Sequence, residues 1–427
     1  LAGNTAIGHQ SGAAITTGAR NTVLGYKALD AADGAESDNI AIGVDALGNL
    51  DHDSASKNIA IGSYAGDGMG AFANAMNIFI GHDAGGGTWD TARSQYNIGI
   101  GAYALDGAMD DANSNIAIGV EALSGIIHGD NNIGIGRDAG NDITDGHSNT
   151  LIAPYTGDAI TTGIANTFIG YASGGTTTAT NYCVALGYEA MNASNVEAGA
   201  NHTIAIGTNS LNAITSASGC VAIGYQAAQD LTTGTATVAI GKNAAANITT
   251  GQNNVIIGQD ALATADGDEN SNVAIGKQAM GSCSHDSVSS NVAIGTEALY
   301  GGGNIVRGNV AIGKGTLDGT GSNIIDYCVA IGWGALGGSL TNNNSYQVAV
   351  GYNALEYLTS GTYNTVVGSE AMKDMTTGDN NTALGYKAGY AIAAGNNPDG
   401  NTFIGYRAGD SVTTGSYNTM IGINTDT

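Results

Sequence analysis

Charge is scarce in this chain, at 11% of 427 residues, and it lies on the acidic side: 12 Lys and Arg against 37 Asp and Glu, a net of −25. Nucleic acid and anionic membrane surfaces select basic stripes, so neither is an expected partner. Proline occurs twice and tryptophan twice. No window carries Leu, Glu, Lys and Arg at helical spacing, which excludes a globular α/β enzyme built on amphipathic helices. No apolar run is long enough to cross a bilayer, and no signal peptide is visible. Disorder is excluded as well, because 42% of the residues are hydrophobic and many are β-branched.

Glycine is abundant, at 68 residues, and it is periodic. Starting from Gly8 it recurs at Gly25, Gly43, Gly62, Gly81, Gly101, Gly119 and Gly136, is replaced once by Ala153, and resumes from Gly170 to Gly422. That makes 24 units at a mean spacing of 18, each interval between 17 and 20. A repeat of this length is the signature of a solenoid. The residue before the glycine is Ile, Leu or Val in all 24 units, and the residue three before it is Ile, Val or Thr in all 24. Two apart, these share one face of a strand. Between them stands Ala in 14 units and never a polar residue. Both faces of the strand are therefore apolar.

A strand apolar on both faces must be covered on both. With the Ile pair taken as the coil's own core, the small Ala at Ala6, Ala41 and Ala60 is expected to meet another surface, and a second copy of the chain is the economical occupant. The flattened monomeric solenoid that buries both faces itself is the alternative. Four before the glycine, Asn stands in 18 units (Asn4, Asn21, Asn39, Asn58 onwards), where stacked coils would form an amide ladder beside the strand residues Ile42 and Ile61 and the turn glycines Gly43 and Gly62. A second short strand is expected after the glycine, then a turn spelled Thr-Thr-Gly six times. The fold expected is thus an all-β parallel β-solenoid (β-roll) of 24 coils of about 18 residues, residues 1–427 as one continuous array, in a homotrimeric rod. At one layer per unit the rod is about 115 Å long. The pattern opens at Leu1 in mid-repeat and neither end carries a polar cap, so the chain reads as a segment of a longer fibre or a subunit whose ends stack.

Asn-Ile-Ala-Ile-Gly at 39–43, 58–62 and 115–119, and Asn-Val-Ala-Ile-Gly at 272–276, 291–295 and 309–313, resemble the repeats of trimeric autotransporter adhesin heads. Asn381 to Gly389 and Asn401 to Gly409 resemble the repeats of bacteriophage tail fibres. The resemblance implies a left-handed parallel β-roll with three chains to a rod. The coils here are longer than the compact adhesin-head repeat, and no coiled-coil stalk, anchor barrel or chaperone domain accompanies them.

Catalytic signatures are missing: there is no Gly-x-Ser-x-Gly elbow and no phosphate loop, and scattered acids single out no carboxylate pair. The chain is not expected to be an enzyme or to carry a cofactor. Cys183, Cys220 and Cys328 occupy the Asn ladder position and read as buried free thiols. Cys283-Ser-His285 and the acidic loop 266–270 complete no zinc or calcium spacing, so no metal site is expected. Binding is the better expectation. The residue after the phase glycine is aromatic in eight units, among them Tyr171, Tyr188, Tyr225, Trp333 and Tyr352, and aromatic rows beside Asn and Asp suit a carbohydrate face. An aromatic ladder that only stiffens the sheet is the plainer reading. Loops are the other candidates: Trp89, Arg93 and Tyr96 in one, and the loops at 191–202 and 390–400. The function expected is a structural fibre or adhesin shaft of a virion appendage or cell surface, extracellular, self-associating and touching a host glycan. An extracellular filament polymerising end to end is the second reading, and a surface glycan hydrolase the third.

Overall fold

The computed structural model of the chain describes residues 3–89, 92–175, 178–193, 200–265, 267–283, 287–301, 305–319, 321, 323–341, 344–392 and 398–426. It is an all-β parallel β-solenoid, and no helix occurs among the described residues. The chain divides into two compact units, Leu1–Asn209 with Ala213–Ser216, and Ser210–Asn212 with Ala217–Thr427. Each unit carries one three-residue strand per coil, at the three positions before the phase glycine. Within a unit, successive strands pair in parallel with every repeat position over its own counterpart: Ile40 over Ile59, Ala41 over Ala60, Ile42 over Ile61, and likewise Val255 over Val273.

Stacking in register explains the glycine. Gly258 has φ +140°, and a Cβ there would lie 2.3 Å from the carbonyl oxygen of Gly276 in the next coil. Only glycine holds that backbone without strain at so close an approach. Ala153, the single exception, holds φ +127° with a methyl group attached. Ala153→Gly is therefore expected to stabilise its unit by about 1 kcal/mol, and Gly258→Ala to destabilise by at least about 1–3 kcal/mol. Chemical unfolding of the two variants checks the pair, and an effect of the same sign in both would contradict it.

The structure reverses the expected faces of the strand. The middle residue points into the coil: Ala41, Ala60, Phe79, Leu151, Phe168 and Phe403 are all fully buried. The flanking Ile, Val and Leu lie on the outside, intermediate to exposed, with Ile61 37% and Ile118 38% accessible. The coil interior is already occupied by other side chains. Ala three after the glycine (Ala46, Ala122), Leu four after (Leu47, Leu123) and Leu or Ile seven after (Leu50, Ile126) are all buried. Little room remains opposite the strand, so Ala fits in most layers. A larger residue enters where space is released. Phe168 sits where a Cβ on Gly174 would come within 2.3 Å of its ring, and Phe403 stands in the same relation to Gly409, at 2.4 Å.

The second strand expected after the glycine does not form. Residues two and four after it take left-handed φ, as in Asp45 at 49° and Leu47 at 53°. The alternation turns successive N–H groups up and down the stack. Asp45 donates to the Tyr26 carbonyl of the preceding coil at 2.9 Å, and Leu47 to the Ala65 carbonyl of the following coil at 2.9 Å. These bonds, with burial of the Leu side chain, offset the cost of left-handed backbone in residues with a Cβ. Three two-residue strands, Val288–Ser289, Val306–Arg307 and Ile325–Asp326, pair with one another outside the main strand stack.

The Asn position forms a buried chain of amides. Asn132 donates through its backbone N–H and its Nδ2 to Asn115 Oδ1, at 2.9 and 3.1 Å, while Asn115 Nδ2 donates to the Gly129 carbonyl at 2.7 Å. Asn21, Asn39 and Asn58 continue it, and Asn4 donates to the Gly18 carbonyl. The exceptions keep the donor. Cys220 Sγ reaches the Gly234 carbonyl, Thr237 Oγ1 the Gly251 carbonyl and Gln347 Nε2 the Gly361 carbonyl, each on the carbonyl seven before the next phase glycine. The position thus requires a buried side-chain donor, which Asn, Cys, Thr and Gln can all supply.

Candidate functional site

The outward strand residues line up into a stripe two side chains wide. In the first unit Ile40 and Ile42, Ile59 and Ile61, Ile78 and Ile80, Ile98 and Ile100, Ile116 and Ile118, and Ile133 and Ile135 make six successive all-isoleucine layers. In the second unit Val221 and Ile223 begin eight successive layers of Val and Ile that end at Val348 and Val350. Alternation along a strand puts the two columns about 7 Å apart, and the layers repeat every 4.8 Å or so. Contiguous apolar surface of this kind is a candidate interaction face.

Aromatic residues border the stripe. One row follows the phase glycine, as expected: Tyr171, Tyr188, Tyr225, Trp333 and Tyr352 are 41–52% accessible. Neighbours stack, Tyr171 on Tyr188 at 5.4 Å and Trp333 against Tyr352 at 5.0 Å between ring centroids. A second row lies five before the glycine. There Tyr327, Tyr346 and Tyr363 stack through consecutive coils at 5.7 and 5.2 Å. Tyr96 belongs to this row rather than to a loop site, and it is 52% accessible. Trp89 corrects the expectation placed on it. It is fully buried, edge-on to Phe79 at 5.6 Å, and offers no face to a ligand. Arg93 is exposed, so the three residues of that loop do not form one site.

Beside Trp333 is an open cleft of about 230 Å³, lined by Glu297, Lys314, Asp318, Asn353 and Glu356 together with the indole. Glu356 is paired with Lys373 at 3.2 Å. Burial raises Asp318 above the ordinary carboxyl range, helped by the charge of Glu297. In the first unit the same coil edge, five after the phase glycine, holds Asp67, Asp106 and Asp158, each half-buried. Burial first, then neighbouring aspartates, pushes all three up to about 6. A carboxyl whose folded pKa exceeds its unfolded value of 3.8 favours folding when protonated. That contribution is complete below about pH 4 and is lost as pH rises through 6. Thermal unfolding is therefore expected at higher temperature at pH 5 than at pH 7.5, with Asp67→Asn reducing the difference; a flat profile across this window would contradict it.

The four cysteines are free and buried. Burial pushes Cys183 up to about 11 and Cys328 up to about 12, so both are protonated thiols and poor nucleophiles. Ser284 and His285, and residues 194–199 and 393–397 of the two long loops, lie outside the described residues, as does Asp266 of the acidic loop. No helix among the described residues is long and apolar enough to cross a membrane. No family model matches the chain, and no curated protein matches it either. The fold is a parallel β-solenoid, consistent with a β-roll repeat protein; nothing in it identifies a tail fibre or an adhesin.

Proposed function

We propose that this chain is a structural and interaction protein, the shaft of a virion tail fibre or an adhesin-like surface appendage, in which copies associate through the outward Ile and Val stripe. The observation that supports this most strongly is the stripe itself. A second copy suits it, because the same solenoid presents apolar side chains at the same layer spacing along its whole length. Covering a remaining third of an outward Ile, the most that these layers expose, contributes about 0.5–1 kcal/mol. Six layers then supply at most roughly 6–12 kcal/mol per face, comparable to the cost of association, and longer runs supply more. Three narrow faces turned to a common axis would bury all of them and leave the loops and the Trp333 cleft outward, where a host glycan can stack on the indole and hydrogen-bond to Asp318 and Asn353.

Sedimentation with electron microscopy tests the reading. Discrete particles of three chains are expected. Single chains at high concentration would refute it, and indefinite filaments would favour an end-to-end polymer.

A further inference from the structure

A buried carboxylate in the first unit has no partner for one of its oxygens. Glu36 is fully buried, seven before its phase glycine, where most coils carry Gly or Ala and only Glu269 repeats the carboxylate. Its Oε2 accepts from the Gly34 N–H at 3.0 Å, but Oε1 has no hydrogen-bond partner and no contact with solvent. An isolated carboxylate oxygen out of water is costly unless a proton or a cation compensates it.

Two further carboxylates converge on it. Asp33, in the same turn, and Asp51, from the next coil, each place one oxygen within 4.8 Å of a Glu36 oxygen and of each other, and both are exposed. Asp53 pins the turn from the next coil, its Oδ1 accepting from the Ala35 N–H at 2.9 Å. Gly34 allows the close approach, since a Cβ there would meet that Asp53 oxygen.

We infer that Asp33, Glu36 and Asp51 form a binding site for a hard divalent cation, calcium in preference to magnesium. The donors are all oxygen and carry three negative charges. Their exposed side lets water complete the six to eight ligands that calcium takes in irregular geometry, whereas magnesium demands a near-ideal octahedron. The ligands come from two stacked coils, so no spacing along the chain reveals them. The ion would cross-link adjacent layers at the coil edge, independently of whether copies associate.

The test is calorimetric titration of the full chain, stripped of metal, with calcium chloride. Saturable binding is expected with a dissociation constant on the order of 0.1–1 mM, as for extracellular calcium modules. Glu36→Gln and Asp51→Asn should each weaken it about tenfold or more, while Asp106→Asn leaves it intact. If Glu36→Gln does not fold, Asp51→Asn at its exposed position decides alone. No saturable calcium binding, or binding unchanged in these variants as expected of diffuse attraction to an acidic surface, overturns the inference.

Discussion

Four lysines set along the outward stripe, Ile61→Lys, Ile118→Lys, Ile257→Lys and Ile312→Lys, are expected to leave both units folded and to reduce the protein to single chains. All four positions are outside the coil, so no core contact is lost. A lysine stem can lie along the neighbouring Ile and Val while its ammonium reaches water. In an assembly the same positions face their counterparts, so each substitution brings like charges together in a desolvated layer. One buried unpaired charge costs several kcal/mol, which exceeds what a layer of two Ile contributes. Net charge changes from −25 to −21 with four added lysines, so repulsion between whole chains falls rather than rises. Loss of association would therefore report on the stripe. Sedimentation equilibrium reads the chain number and circular dichroism the fold; an unchanged chain number would count against the stripe as the interface.

Asn115→Ala is expected to be among the most damaging single changes in the chain. It removes the acceptor for the Asn132 N–H and Nδ2 and the donor to the Gly129 carbonyl, all in the buried interior. Asn132 Nδ2 keeps the Gly146 carbonyl at 2.8 Å, which leaves the Asn132 N–H and the Gly129 carbonyl unsatisfied. At about 1–3 kcal/mol for each such buried group, a loss of about 2–6 kcal/mol follows. Asn115→Cys should cost less, because the thiol can still donate to Gly129, as Cys220 does to Gly234. A stacked array can open locally, so hydrogen exchange at the amides of Asn132 and Ile133 is the fitting readout. Acceleration by a factor of roughly 100 or more is expected for Ala. Equal effects of Ala and Cys would show that the donor is not what the position selects.

The period, the strand, the turn glycine and the Asn position are all legible in the sequence, because each recurs at a fixed phase and each rests on a local rule. The assignment of inside and outside is not legible from hydrophobicity alone. Ile outranks Ala as a core residue, yet in most layers the coil interior opposite the strand is too full for Ile, and Ile256 is the one that enters. The signal that could have corrected this is a volume exchange six residues apart: Phe79 with Gly85, Phe168 with Gly174 and Phe403 with Gly409, against Gly99 with Leu105. Such pairs must share one space, which puts the middle residue inside. Left-handed backbone at Asp45 and Leu47 leaves no comparable trace in residue type, so a strand was expected there. Trp89 stands in a glycine-rich loop that reads as exposed, and its burial depends on Phe79. Tyr327, Tyr346 and Tyr363 are visible as residues one before the ladder position, but they read as a surface row only once that position is known to face outward.

The central claim is that the Ile and Val stripe of one copy lies against that of another. Oxidative cross-linking of Ile118→Cys tests it most directly, since the four native thiols are buried. Covalently linked chains are expected from Ile118→Cys and not from Asp142→Cys, an exposed position six after its phase glycine. Linkage through Asp142→Cys but not Ile118→Cys, or no linkage at either position at high protein concentration, would contradict the claim.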